Sequence, residues 1–307
     1  MRKRHKALAI IWIVSGLLGI SIASPTFAIP FSSWHATFVY YDKGQNDAQA
    51  LRDKFNSWTW TEGSETKGWT TSIFPSSRVT DAFQWLRDRS GENEISVFFY
   101  AGHSFTESAD DNKTEESSTE DTPPPGAPAV DDTDEGIKTT SGNGFFDDQI
   151  GEELRRIPGY TVSIFDSCFS GGMVDGTNDI NGKNQDGTNK KNETVMMGST
   201  EYGTCLFRGT NERGVFTEYL LKSFPLGGPT TSTFSSWFDA AGKKYTKDYK
   251  NNPGSFDNSF QTFKLTQYAD GTRTNKYNVP EPTTFVLLSF GVLFMLSKKR
   301  LLSRTLI

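Results

Sequence analysis

Two strand-like runs end on side chains able to do nucleophilic chemistry. "ISVFFYAGHS" (95–104) closes on His103, and "VSIFDSCFSGG" (162–172) runs through Asp166 to Cys168. A thiol attacks a carbonyl only as its thiolate, and an imidazole within reach supplies that state or accepts the proton. The chain has three histidines and two cysteines. His5 and His35 lie close to the beginning, so His103 is the single imidazole of the remaining body. A small buried cysteine and a structural histidine are the competing explanation, and a Cys168–Cys205 disulfide is another use for the pair. Otherwise no role falls to Cys205, and Cys205→Ser is expected to be nearly silent. Two cysteines are too few for a disulfide-built scaffold, and the His and Cys count is too low for a zinc hydrolase.

Such a pair works only if the fold brings the two run ends together. From residue 36 onward the sequence alternates strand-like with helix-like segments. Strands are expected over "ATFVYYD" (36–42), "WTTSIF" (69–74), "ISVFFYAG" (95–102), "YTVSIFD" (160–166) and "ETVMMGST" (193–200). Helices are expected over "NDAQALRDKFNSW", "RVTDAFQWLRDR", "FFDDQIGEELRRI" and "GVFTEYLLKSF", where apolar residues recur at helical spacing. This alternation predicts an α/β fold: a three-layer, mostly parallel sheet with helices on both faces. Parallel sheets place their sites at the carboxyl ends of strands, which puts His103 and Cys168 on one edge.

Residues 104–135 hold eleven acids, one Lys and the run "TPPPGAPA". That composition buries too little apolar surface to offset its ordering entropy, so it reads as a flexible acidic insertion. The Asn/Gly-rich stretch 175–193 reads as a second flexible loop.

Residues 1–28 have a basic start, an apolar segment and small residues near Ala28, the pattern of a cleaved signal peptide. The last segment, 280–307, runs Pro-Glu-Pro, an apolar stretch, then Lys298, Lys299 and Arg300. At its length the stretch is a weak membrane anchor or sorting tail. Its order of features resembles the PEP-CTERM signal of Gram-negative bacteria, which implies export to the periplasm, outer envelope or extracellular matrix. The processing partners implied are a signal peptidase and an exosortase-type enzyme. The intervening body, 29–279, carries 24 basic and 36 acidic side chains, a net of −12. That sign argues against nucleic acid as a partner. The body is long enough for one good-sized core and is expected to act as a monomer on protein or peptide substrates.

The ordered motifs of that body resemble the metacaspase group of caspase-like cysteine peptidases. "FFYAGHS" is similar to that group's strand leading to Gly-His-Gly, and "IFDSCFSGG" to its Asp-Ser-Cys-His-Ser-Gly. "VYYDKGQNDAQALRDKF", "DDTDEGI", "FFDDQIGEEL" and "GVFTEYLL" resemble its remaining blocks in the same order. The resemblance implies a dyad of His103 and Cys168, with an oxyanion hole from the backbone N–H groups of Cys168 and Ser104. It also implies an acidic P1 pocket from Asp47 and Asp166, suited to Arg or Lys; helix capping is the alternative role for Asp47. No cofactor is needed for the chemistry, but the resemblance implies Ca²⁺ as an activator. Its ligands would come from Asp132, Asp134, Asp147, Asp148 and Asp175, hard oxygen donors that suit this cation. Ala101, Ser104 and Phe169 depart from the group's Ser, Gly and His. A catalytically inactive envelope or matrix binding protein is therefore the second reading.

Overall fold

Apolar runs buried on both faces form the centre of the molecule. The computed structural model describes residues 33–108, 133–139, 144–174, 179–190, 192–200, 203–208, 213–226, 230–256, 261–269 and 272–278. The segments 1–28 and 280–307, expected to be a signal peptide and a sorting tail, lie outside the described residues. In chain order the first elements are β1 (Trp34–Tyr40), α1 (Gln45–Ser57), β2 (Thr59–Glu62), β3 (Glu65–Gly68), β4 (Thr70–Pro75), α2 (Val79–Arg87) and β5 (Ile95–Ala101). Next come β6 (Ser104–Ser108), β7 (Thr133–Lys138), β8 (Gly144–Phe146), α3 (Asp147–Arg155), β9 (Tyr160–Asp166) and β10 (Asn192–Met197). The rest are β11 (Phe207–Arg208), β12 (Arg213–Gly214), α4 (Val215–Lys222), α5 (Thr231–Asn251), β13 (Lys264–Ala269) and β14 (Thr272–Tyr277).

The main sheet has seven strands in the order β14-β13-β10-β9-β5-β1-β4. β4, β1, β5, β9 and β10 run parallel, while β13 and β14 close one side antiparallel. β5 and β9 are buried along their whole length, as their unbroken apolar sequences require. One face is covered by α1, α4 and α5, through Leu51, Phe55, Phe216, Leu220, Trp237 and Tyr245. The other face carries α2 and α3, through Val79, Phe83, Leu86, Ile150 and Leu154. There Phe83 stacks on Phe98 at 4.4 Å, and each such buried ring stabilises by about 1.5–3 kcal/mol. The observed architecture is thus the expected one, a mostly parallel α/β sheet between two helical layers.

The chain steps from β1 outward to β4, then returns to β5 on the other side of β1. Reversals of this kind open a crevice at the carboxyl ends of the strands.

Two loop assignments need correction. The sequence reading gives all of 104–135 to a flexible insertion, yet its two ends pair as β6 and β7, extended by β8 into a small antiparallel sheet. The Phe105 ring lies against Gly136 and Gly144, and Ile137 is fully buried, so short apolar contacts anchor an otherwise acidic stretch. The Asn/Gly-rich loop is likewise tied down over 179–190. Ile180 is buried, Gly182 N–H donates to Glu193 Oε2 at 3.0 Å, and Lys190 Nζ donates to the Leu154 carbonyl at 2.6 Å.

Candidate active site

The edge formed by β5 and β9 carries both predicted chemical groups. Ala101 is registered opposite Asp166, and the Gly102 N–H donates to the Asp166 carbonyl at 3.2 Å. His103 and Cys168 each follow that registered pair by two residues. The Ser104 hydroxyl donates to the Cys168 carbonyl, a further tie between the two strand ends. The His103 carbonyl accepts from Tyr100 OH at 2.6 Å and from the Lys138 N–H at 3.0 Å. These bonds fix its backbone while the side chain stays exposed, edge-on to Tyr41 at 5.8 Å. Gly102 has φ +154°, and a Cβ there would lie 2.7 Å from Tyr41 Cβ and 2.9 Å from Tyr100 OH. Only glycine fits this turn into the histidine.

β9 stops at Asp166 and the chain turns sharply at the cysteine. Phe169, immediately after it, sits in the left-handed region with φ +54°, a conformation costing on the order of 1–3 kcal/mol for a non-glycine residue. The surroundings hold it there. Phe169 N–H donates to the Gly203 carbonyl at 2.9 Å, Ser170 N–H to Ser199 Oγ at 3.1 Å, and Lys264 Nζ to the Gly171 carbonyl at 2.8 Å. Cys168 and Cys205 are both free, partly buried thiols. The Cys205 N–H donates to Cys168 Sγ at 3.1 Å. The proximity of Cys205, side chain first and then this N–H, draws the Cys168 thiol down to about 6 against the opposing pull of burial.

Asp47 and Asp166 are fully buried and meet at one helix end. Asp47 Oδ2 accepts the Gly214 N–H at 2.9 Å, and Asp166 Oδ2 accepts the Thr217 N–H at 2.8 Å. Both carboxyls thus satisfy the open N–H groups at the positive end of α4. The capping role anticipated for Asp47 is corrected in one respect. Gly44 occupies the N-cap of α1, and Asp47 serves a different helix instead. Burial raises Asp166, and burial plus the Asp166 charge raise Asp47 to about 8. Arg213 Nε stands 3.4 Å from Asp47 Oδ1 and works in the opposite direction.

The five carboxylates assigned to calcium are not assembled by what the structure describes. Asp147 and Asp148 open α3, where Asp147 Oδ1 accepts the Asp148 N–H at 2.8 Å. Asp132 and Asp175 lie outside the described residues, as does the side chain of Asp134. Among the described residues no three His, Cys, Asp or Glu side chains converge on a metal position. Asp148 Oδ1 is buried and accepts no hydrogen bond from a described residue.

Sequence reasoning offered Cys205 only as a disulfide partner of Cys168, which the two free thiols correct, and it missed Gln261 and Arg213. Cys205 touches Cys168 from a loop 37 residues further on, and no periodicity marks such a contact. The signal was that the chain has two cysteines, whose pairing as a disulfide would already place them side by side.

A family model described as the caspase domain matches residues 42–264. Among solved structures, the chain is similar to a protein from Geobacter sulfurreducens at 13% identity. That match covers 83% of this chain and 96% of the other, with a TM-score of 0.48. It is also similar to caspase-1 from Spodoptera frugiperda at 7% identity, covering 78% and 86% of the two chains, with a TM-score of 0.43. No curated protein matches the chain. The family match runs from the turn after β1 to the start of β13 and contains both His103 and Cys168. The chain belongs to the caspase-domain family, whose members are cysteine peptidases.

Proposed function

We propose that this chain is a metacaspase-type endopeptidase that cleaves after Arg or Lys, with Cys168 as nucleophile and His103 as acid–base. The observation that carries the reading is the Cys168 sulfur, held by a main-chain N–H at 3.1 Å and drawn down to about 6. Such a thiol is anionic at neutral pH and ready to attack. Its sulfur adds to the scissile carbonyl carbon while the carbonyl electron pair moves onto oxygen. The tetrahedral intermediate then collapses to a thioester, and protonated His103 gives its proton to the departing amine. Water, deprotonated by His103, adds to the thioester, releases the new carboxyl terminus and restores the thiolate. The backbone N–H groups of Cys168 and Ser104 are the donors proposed for the oxyanion.

Asp47 and Asp166 would receive the P1 cation. Burial suppresses the charge of both, and a substrate guanidinium would relieve that penalty by bidentate pairing. Arg213, already beside Asp47, supports the fit of a guanidinium at this point. Calcium, where bound, would neutralise the acidic cluster through Asp147 and Asp148; it takes no part in bond breaking.

The test is cleavage of matched peptides carrying Arg, Lys or Asp at P1, with calcium and with a chelator. Turnover is expected for Arg and Lys and not for Asp. Cys168→Ala should abolish it, and His103→Ala should lower kcat by about 10²–10⁴-fold. Rapid alkylation of Cys168 without cleavage of any peptide would favour the second reading, an inactive binding protein. Ser104, standing where the metacaspase pattern has Gly, is the observation on that side.

A further inference from the structure

A thiol that must ionise stands two residues from a buried carboxylate, and like charge at that distance opposes ionisation. The structure supplies an answer outside both motifs. Cys205 is in contact with both groups. Its N–H donates to Cys168 Sγ at 3.1 Å, and its own thiol donates to Asp166 Oδ1 at 3.7 Å. Gln261 Nε2 donates to the Cys205 sulfur at 3.6 Å, which leaves the Cys205 S–H turned to acceptors.

The segment that carries Cys205 is fixed on both sides. Gly203 accepts the Phe169 N–H at 2.9 Å, and Leu206 N–H donates to Gln261 Oε1 at 2.9 Å. Buried Gln261 is itself fixed, since its N–H donates to the Tyr245 hydroxyl of α5 at 2.6 Å. α5 thereby holds the second cysteine against the first through one glutamine.

We propose that Cys205 is a positioning residue for the nucleophile: its N–H holds the Cys168 sulfur as a thiolate, and its S–H, given to the Asp166 carboxylate, screens that sulfur from the carboxylate. This rests on the reading of Cys168 as nucleophile, and it deepens that reading with a residue that neither motif contains. Cys205, from the segment before β11, and Ser104, at the start of β6, touch Cys168; Asp166 ends β9 two residues before it, and His103 follows β5 on the same sheet edge. Asp47 and Arg213 stand behind Asp166. Of these, Cys205 is the one that touches both the sulfur and the carboxylate. Burial raises the Cys205 thiol well above its ordinary range, so it stays protonated and remains a donor while Cys168 ionises. The expectation that Cys205→Ser is silent is accordingly replaced.

The test measures the pH dependence of Cys168 alkylation by iodoacetamide, with the modified site assigned by mass spectrometry. This readout needs no peptidase activity. Cys205→Ala should move the midpoint upward by about one pH unit, so that alkylation at pH 6 slows about fivefold. Cys205→Val, which keeps the volume without a donor, should do the same. Cys205→Ser keeps a hydroxyl donor and should recover at least half of the shift. Thermal unfolding checks that each variant is folded. An unmoved midpoint in the donor-less variants would overturn the proposal, as would a serine variant indistinguishable from alanine. If the shifts appear while no peptide is cleaved, the positioning role stands and the peptidase reading fails.

Discussion

Asp47 has neighbours that pull on its proton in opposite directions. Burial and Asp166 raise it to about 8, while the Gly214 N–H and Arg213 favour its charged form. Burial wins, so the carboxyl is largely protonated at neutral pH in the free protein. A carboxyl raised on folding contributes stability that is fully present below its unfolded value, near 4, and is lost as pH rises through about 8. Asp47→Asn keeps an oxygen acceptor for Gly214 and removes the titration. Its thermal midpoint should therefore match the wild type near pH 5 and exceed it near pH 8.5. Under the proposed function the same residue predicts a catalytic trend of the opposite sign. A P1 guanidinium gains from the ionised form, so kcat/KM for Arg peptides should climb between pH 7 and 8.5. Asp47→Asn should flatten that climb and lower kcat/KM about tenfold at the upper end, the scale of one charge-assisted contact. Parallel profiles in the two proteins would remove Asp47 from the pocket.

The N-terminus of α4 is the element on which this arrangement depends, because its open N–H groups meet the two carboxyls. Gly214 has an ordinary extended backbone there, φ −60° and ψ 135°. A Cβ at this position, however, would overlap the Asp166 carboxylate. Gly214→Ala should cost about 1–3 kcal/mol through that overlap. Gly254→Ala, where nothing lies within 4 Å, should stay within about 0.5 kcal/mol in the same denaturant titration. Equal effects would mean that the approach of helix and carboxylate is loose. The elements that deliver His103 and Cys168 were legible because β5 and β9 are continuous apolar runs. α5 carries an equally clear signal, with Phe234, Trp237, Phe238, Ala241 and Tyr245 at helical spacing. β13 and β14 flank Asp270-Gly271, a dipeptide that favours hairpins; neither pattern is among the elements expected above. β6 and β7 were not legible. Their residues are polar and acidic, and their pairing joins segments separated by the long insertion. The Cys205 contact was hidden for the same reason: it joins segments distant in sequence, and only the folded loop shows it.

At the scale of the whole molecule, charge and site point the same way. Residues 29–279 carry a net charge of −12, and the proposed pocket holds two acids. A surplus of one sign around a cleft raises the local concentration of oppositely charged ligand and speeds encounter, and salt screens the effect. The Debye length falls from about 10 Å at 0.1 M ionic strength to about 3 Å at 1 M. Steering over the surface should therefore fade across that range, while contacts inside the pocket persist. For a peptide with Arg at P1 and further basic residues upstream, kcat/KM should fall severalfold between 0.05 and 0.5 M salt, with kcat nearly constant. A peptide with the same P1 Arg but acidic flanks should show a weak or reversed trend. The comparison separates the molecule's field from its pocket, since both peptides place the same side chain at Asp47 and Asp166. If both lose activity equally, salt is acting on the pocket or on the fold, and steering by the acidic body is rejected.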